Sequence, residues 1–198
     1  MTTQEKNGIT EGVIWKQLLI FFFPILVGSF FQQLYNTVDS VIVGQFVGKE
    51  ALSSVGGSAG QIISLVVGFF TGVSTGATVI ISQYFGAGKK EEIEESLHTA
   101  YAFALVGGLV LGIAGIVFAP QMLRWMNTPE ELIAESVLYV RVYFSGLIFI
   151  FIYNMGAAIL RAVGDSKRPL YYLIVCSVVN IILDLLLILV IPLGVLGA

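Results

Sequence analysis

Five apolar runs, each long enough to cross a bilayer as a helix, dominate the chain and leave room for little else. A hydrocarbon core about 30 Å thick takes about 20 residues of helix at about 1.5 Å per residue. The runs lie at about Leu18 to Val47, Val55 to Ile81, Thr99 to Ala119, Val137 to Leu160 and Leu170 to Ile191. Of the 198 residues 57% are hydrophobic and only 12% are charged, which excludes a water-soluble domain of ordinary composition. The expected fold is an all-α membrane protein, a bundle of five transmembrane helices in one unit over residues 1–198, with the lipid bilayer as its first partner.

The remaining composition narrows the function. A net charge of -3 and scattered basic residues give no groove for nucleic acid. The single cysteine, Cys176, sits within an apolar run and supplies neither a disulfide framework nor a thiolate metal site. The first apolar run continues past signal-peptide length with no small-residue cleavage site, so it reads as a retained helix. Lys6, Lys16, Lys89, Lys90, Arg161, Lys167 and Arg168 fall on one side of the membrane, and Lys49, Arg124 and Arg141 on the other. The positive-inside rule then places the N-terminus in the cytoplasm, in a multi-pass protein of the cell inner (plasma) membrane. Arg141 is expected to snorkel to the outer interface, and His98, the single histidine, to lie at the opposite one.

The links carry helix punctuation. Thr128-Pro129-Glu130-Glu131 reads as a capping threonine, a proline at the first helical position and a glutamate closing a capping box. Gly164 is placed to end the fourth helix and Pro169 to open the fifth. Glu91, Glu92, Glu94 and Glu95 stand where the third helix begins and match the positive end of its dipole.

Of the 13 acidic residues only Asp39 and Asp184 fall inside expected membrane helices, where an ionised carboxylate is costly and is usually kept for function. Asp39 lies ten residues before Lys49 and Asp184 eight before Pro192, which puts both roughly 12 to 15 Å below the outer end. Two helices from opposite ends of the chain thus carry carboxylates at one depth, as a shared proton or cation site requires. Each acid has polar company at helical spacing: Gln32, Tyr35 and Asn36 with Asp39, and Ser177 and Asn180 with Asp184. The competing reading is a set of interhelical hydrogen bonds worth about 0.6 to 2 kcal/mol each.

Pro24 removes a backbone donor from the first helix, frees the carbonyl of Ile20 and gives either a hinge or a fixed kink. Gly56, Gly60, Ser64, Gly68, Gly72 and Gly76 put a small residue at every fourth position of the second helix, which predicts a close helix contact there. Bulk at Gly68 or Gly72 is then expected to be damaging and Phe70→Leu to be mild.

Four segments in order resemble the multidrug and toxic compound extrusion (MATE) family. They are Gln33-Leu34-Tyr35-Asn36-Thr37-Val38-Asp39-Ser40-Val41-Ile42-Val43-Gly44, Ser82-Gln83-Tyr84-Phe85-Gly86-Ala87-Gly88, the link Leu160 to Pro169, and Asn180-Ile181-Ile182-Leu183-Asp184. The resemblance implies an antiporter of twelve helices in two six-helix lobes, exporting drug-like compounds against inward H⁺ or Na⁺, with no cofactor beyond that ion. It further implies a coupling site at Asp39, Asn180 and Asp184, a metal site only if the ion is Na⁺, and a hinge at Pro24. Gln32, Tyr35, Asn36 and Asn154 are implied as substrate-lining or cavity-lining neighbours.

Under this resemblance the chain is most of an N-terminal lobe, truncated at Gly194 to Ala198 where a sixth helix would begin, and its missing partner is the C-terminal lobe. Export is expected of the complete protein. Two alternatives stay open: a lipid-linked saccharide flippase of the same superfamily, and a non-transporting fragment. An intramembrane aspartyl protease, the enzyme reading, fits poorly because the only glycine-aspartate pair, Gly164-Asp165, lies in a link.

Overall fold

The computed structural model describes residues 13–190, and all regular structure among them is helical. The expected end of the last helix at Ile191, together with Lys6, Pro192 and the Gly194 to Ala198 stop, lies outside the described residues. The elements are α1 (Ile14–Ile42), α2 (Lys49–Ser54), α3 (Gly60–Gly86), α4 (Lys90–Trp125), α5 (Glu130–Ser145), α6 (Leu147–Ala162) and α7 (Lys167–Leu185). Three π-helical turns extend or join them, at Val43–Val47, Val55–Ala59 and Leu186–Val190. The turns at 86–90 and 163–166 lie at one end of the bundle, called the lower end here, and those at 48 and 126–129 at the upper end.

Among the described residues four spans are long and apolar enough to cross a membrane alone: Ile14–Val47, Lys49–Gly86, Lys90–Trp125 and Lys167–Ile188. A fifth is the pair α5 and α6, bent by 49°. The sequence reads as one continuous helix there, and the break has a local cause. The Ser145 hydroxyl donates to the Val142 carbonyl at 2.6 Å, while the Gly146 amide turns back to Tyr143 at 3.1 Å. Large side chains such as Leu65 (74% exposed) and Phe149 (73%) point outward, as they do on surfaces that meet lipid tails.

The core lies among α3, α4, α5 and α6, with Phe70, Phe144, Leu147, Phe151 and Met155 buried at its centre. Glycines of α4 make it possible. A Cβ on Gly108 would stand 2.9 Å from the Ile148 Cα, one on Gly112 would stand 3.0 Å from the Phe144 carbonyl oxygen, and one on Gly115 would overlap the Phe144 ring. Spacings of four and three put these glycines on one face, and that notch seats the α5–α6 bend. The neighbouring Gly107 makes room for the ring of Phe70, which stacks on Phe151 at 3.4 Å between centroids.

The every-fourth-residue stripe of the second span does not act this way. Added Cβ atoms on Gly56, Gly68, Gly72 and Gly76 would meet nothing within 4 Å, whereas Phe70, between stripe positions, is 2% exposed and packed. The close helix contact expected at the stripe is therefore not made among the described residues at these four glycines, and Phe70, expected to accept leucine mildly, is buried in the core. Spacing shows that a face is smooth, not what lies opposite it.

Two other local readings change. Pro129, not Thr128, occupies the N-cap of α5, and the Thr128 hydroxyl makes no hydrogen bond among the described residues, so the capping box does not form. Helix α7 starts at Lys167, with Pro169 inside its first turn. Its entry is held by Asp165, whose Oδ1 accepts the amides of Lys167 and Arg168 at 3.1 Å each. Gly164, at φ 90°, closes α6 by donating to the Arg161 carbonyl while the Asp165 amide reaches Leu160. Pro120 inside α4 leaves the Ile116 carbonyl without its helical donor, and Arg141 Nε donates to that oxygen at 3.2 Å. Arg141 thus pins α5 to the proline of α4 in addition to being exposed.

Candidate functional site: a carboxylate pair between α1 and α7

Helices α1 and α7 pack along each other. Gly28 eases their approach near the lower end, where its Cβ would touch Leu173 at 3.5 Å and Leu170 at 3.7 Å. Further up, Asp39 is half-buried and Asp184 is 3% exposed, and the two carboxyl groups are near enough to feel each other's charge. Asn180 stands one turn below Asp184 on α7. Asp39 Oδ1, Asn180 Oδ1 and Asp184 Oδ2 are buried and make no hydrogen bond among the described residues. All three are acceptors, so the arrangement suits a proton or a hard cation, the species that acceptor oxygens hold.

Nearby hydroxyls do not compete for these oxygens. Ser177 donates to the Leu173 carbonyl at 2.8 Å, Ser40 to Asn36 at 2.8 Å and Thr37 to Gln33 at 2.8 Å, all within their own helices. Tyr35 is half-buried within the field of Asp39, and its side chain meets Gln32. Above the acids, Ile42, Val43, Ala51 and Ile188 form a small buried cluster with Val38, Val47, Val55 and Tyr139 packed against it. This apolar cap stands between the acids and the upper end. All three π turns contribute to it: Val43–Val47 and Leu186–Val190 supply its buried Val43 and Ile188, and Val55–Ala59 packs Val55 against it.

The structure therefore brings Asp39, Asn180 and Asp184 to one region with Tyr35 beside them. It leaves Gln32 and Asn36 on the exposed side of α1. Asn154 lines a different cavity, of about 550 Å³, at the lower end between α1, α3 and α6, and so does not join the acids. Tyr139 was not anticipated: it comes from α5, caps the site and lies within the field of Asp39. Nothing in its sequence neighbourhood marks it. Pro24 is buried in α1, about four turns below Asp39.

Spans of lipid-facing helices around two neighbouring carboxyl groups define a polytopic membrane protein. The match to known proteins is specific: residues 24–186 fit the MatE family model, and the chain belongs to that family, which is one of transporters rather than enzymes. It is 34% identical over 192 residues to the probable multidrug resistance protein YpnP of Bacillus subtilis (strain 168), covering 96% of this chain and 42% of that protein. It is 33% identical over 183 residues to the probable multidrug resistance protein YoeA of the same organism, covering 92% of this chain and 39% of that one. Among solved structures, the outward-facing conformation of a multidrug resistance MATE family transporter of the MOP superfamily superposes with a TM-score of 0.92 at 26% identity. That likeness takes in 100% of this chain and 44% of the other. The chain thus spans 39% to 44% of the length of these relatives.

Proposed function

We propose that this chain is the greater part of the N-terminal lobe of an antiporter that exports drug-like organic compounds in exchange for H⁺ or Na⁺, with Asp39, Asn180 and Asp184 as the coupling site. The observation that carries the reading is the set of three buried acceptor oxygens, one from α1 and two from α7, with no donor to them among the described residues. Two neighbouring carboxylates in a dry site do not both stay ionised unless a cation stands between them. A bound proton or Na⁺ therefore lowers the cost of holding α1 against α7, and its release raises it. That difference is what couples an ion gradient to the position of α1.

Pro24 gives α1 a place to bend, because the Ile20 carbonyl lacks an intrahelical donor. For Na⁺, the ligands are the carboxylates of Asp39 and Asp184 and the amide oxygen of Asn180. Asn154, with Gln32, Tyr35 and Asn36, is assigned to substrate or cavity lining. The open glycine face of α3, at Gly68, Gly72 and Gly76, suits close docking of the second lobe. The basic residues at the lower end support a cytoplasmic N-terminus in the plasma membrane. Relatives named for multidrug resistance support a drug-like substrate over the flippase alternative.

The test joins this chain to the remaining half of a Bacillus subtilis relative and measures efflux of a cationic dye from vesicles under a pH gradient and, separately, a Na⁺ gradient. Asp39→Asn and Asp184→Asn should abolish gradient-driven efflux in folded protein, and Asn180→Ala should weaken it. Parent rates in both asparagine variants would show that the acids are structural.

A further inference from the structure

We propose that the lower cavity is a binding site for the phosphate-type oxyanion of an amphipathic molecule, held at Arg161 with the molecule's hydrogen-bond donors against the hydroxyls of α3. The cavity holds about 550 Å³, enough for a lipid headgroup or a small phosphate ester. Asp39, Asn180 and Asp184 do not line it, so it is a second place for a ligand, independent of the ion site.

The cation comes first. Arg161 sits in the last turn of α6 on the cavity wall and forms no ion pair among the described residues. Two other basic groups at this end are engaged: Lys89 pairs with Glu92 at 3.1 Å and Arg168 with Asp165 at 3.1 Å. Among the described residues no carboxylate lines the cavity to neutralise Arg161. A guanidinium half-withdrawn from water, with its donors unspent among the described residues, selects a phosphate or carboxylate oxyanion and binds it through paired N–H groups.

The hydroxyls say what accompanies the anion. Thr71, Thr75, Thr78 and Ser82 each donate to a carbonyl of their own helix, at 2.8 to 2.9 Å, so what they offer the cavity is lone pairs. Asn154 spends an amide proton on the Ile150 carbonyl at 2.9 Å and keeps its Oδ1. Ser74, 4% exposed and on the same wall, has a hydroxyl with no partner among the described residues. A row of acceptors beside one cation complements an anion joined to donor groups, such as an amine or hydroxyl on a phosphate ester. The opposite wall is mostly apolar, formed by Ile14, Leu18 and Phe21 of α1 together with Gln17, and the outward face next to it exposes Leu19, Phe22 and Phe23. A tail can therefore lie along α1 while the head enters at the level of the basic residues, the depth of a phospholipid headgroup.

Native mass spectrometry of the whole chain, purified in detergent, tests this with dioleoylphosphatidylethanolamine, dioleoylglycerol and glycerol 3-phosphate as separate probes. The phospholipid should be retained at least tenfold better than the phosphate-free dioleoylglycerol. Arg161→Gln should cut that retention at least fivefold, and so should Thr75→Phe, which fills the cavity and leaves the charge in place. Arg124→Gln, at the other end, should match the parent. Glycerol 3-phosphate binding with the same variant pattern assigns the site to free phosphate esters, and its failure to bind beside a retained phospholipid assigns it to lipid; either supports the oxyanion site. Equal retention of dioleoylglycerol, or unchanged retention in either cavity variant, overturns it. Should Arg161→Gln fail to give a monodisperse helical chain, Thr75→Phe decides alone.

Discussion

Replacing Phe70 by alanine removes the ring that joins α3 to α6. That ring is 2% exposed, stacks on Phe151 at 3.4 Å and occupies the space left by Gly107. Helices that separate within a bilayer keep Phe70 in an apolar medium, so the water-transfer part of a core deletion largely drops out. The void and the lost ring pair remain. A void of about 100 Å³ at about 24 cal/mol per Å³ costs about 2.4 kcal/mol. The aromatic pair adds about 0.5 to 1.5 kcal/mol, for a total loss of about 3 to 4 kcal/mol. Gly72→Leu faces open space in this chain, and it should recover part of the roughly 1 kcal/mol that glycine gives up in a helix. Equilibrium unfolding in bicelles by steric trapping reads both. Phe70→Ala within about 1 kcal/mol of the parent, or Gly72→Leu as the more damaging change, would refute the packing argument.

Arg141→Met should destabilise the chain by about 1 to 3 kcal/mol, by stranding the Ile116 carbonyl, and should do so much less in a Pro120→Ala background that restores the helical donor; a double-mutant cycle with no coupling contradicts the pin. Asp165→Ala should cost about 1 kcal/mol by uncapping α7, with Asp165→Asn milder, read by the same unfolding assay. With Cys176 replaced, cysteines at Lys89 and Lys167 should resist an impermeant thiol reagent in intact cells while one at Lys49 reacts; equal labelling of all three contradicts the orientation.

The acids were legible in the sequence because a carboxylate within a long apolar run is costly wherever the run folds, and Asp39 and Asp184 stand out on that ground alone. Their shared depth followed from the rise per residue. What the sequence could not give was the identity of neighbours across helices. Asn154, implied by the resemblance as a substrate-lining or cavity-lining neighbour, lines the lower cavity and does not join the acids. Gly68, Gly72 and Gly76 of the regular α3 stripe faced nothing among the described residues, while the less regular Gly108, Gly112 and Gly115 carried tight contacts to α5 and α6. The α5–α6 bend was hidden because hydropathy is indifferent to a break that both halves bridge with apolar residues. One signal was available and unused: Pro120 must free a carbonyl, and an arginine in the next span is a ready donor to it.

The central claim is that Asp39 and Asp184 form one ion-responsive pair. Difference infrared spectroscopy of the whole chain in nanodiscs, titrated with H⁺ and separately with Na⁺, reads side-chain carboxyl and carboxylate bands directly. The account predicts a band change with at least one of the two ions, lost in Asp39→Asn and in Asp184→Asn and weakened in Asn180→Ala. The same band change in both asparagine variants as in the parent, or none in the parent with either ion, would contradict it.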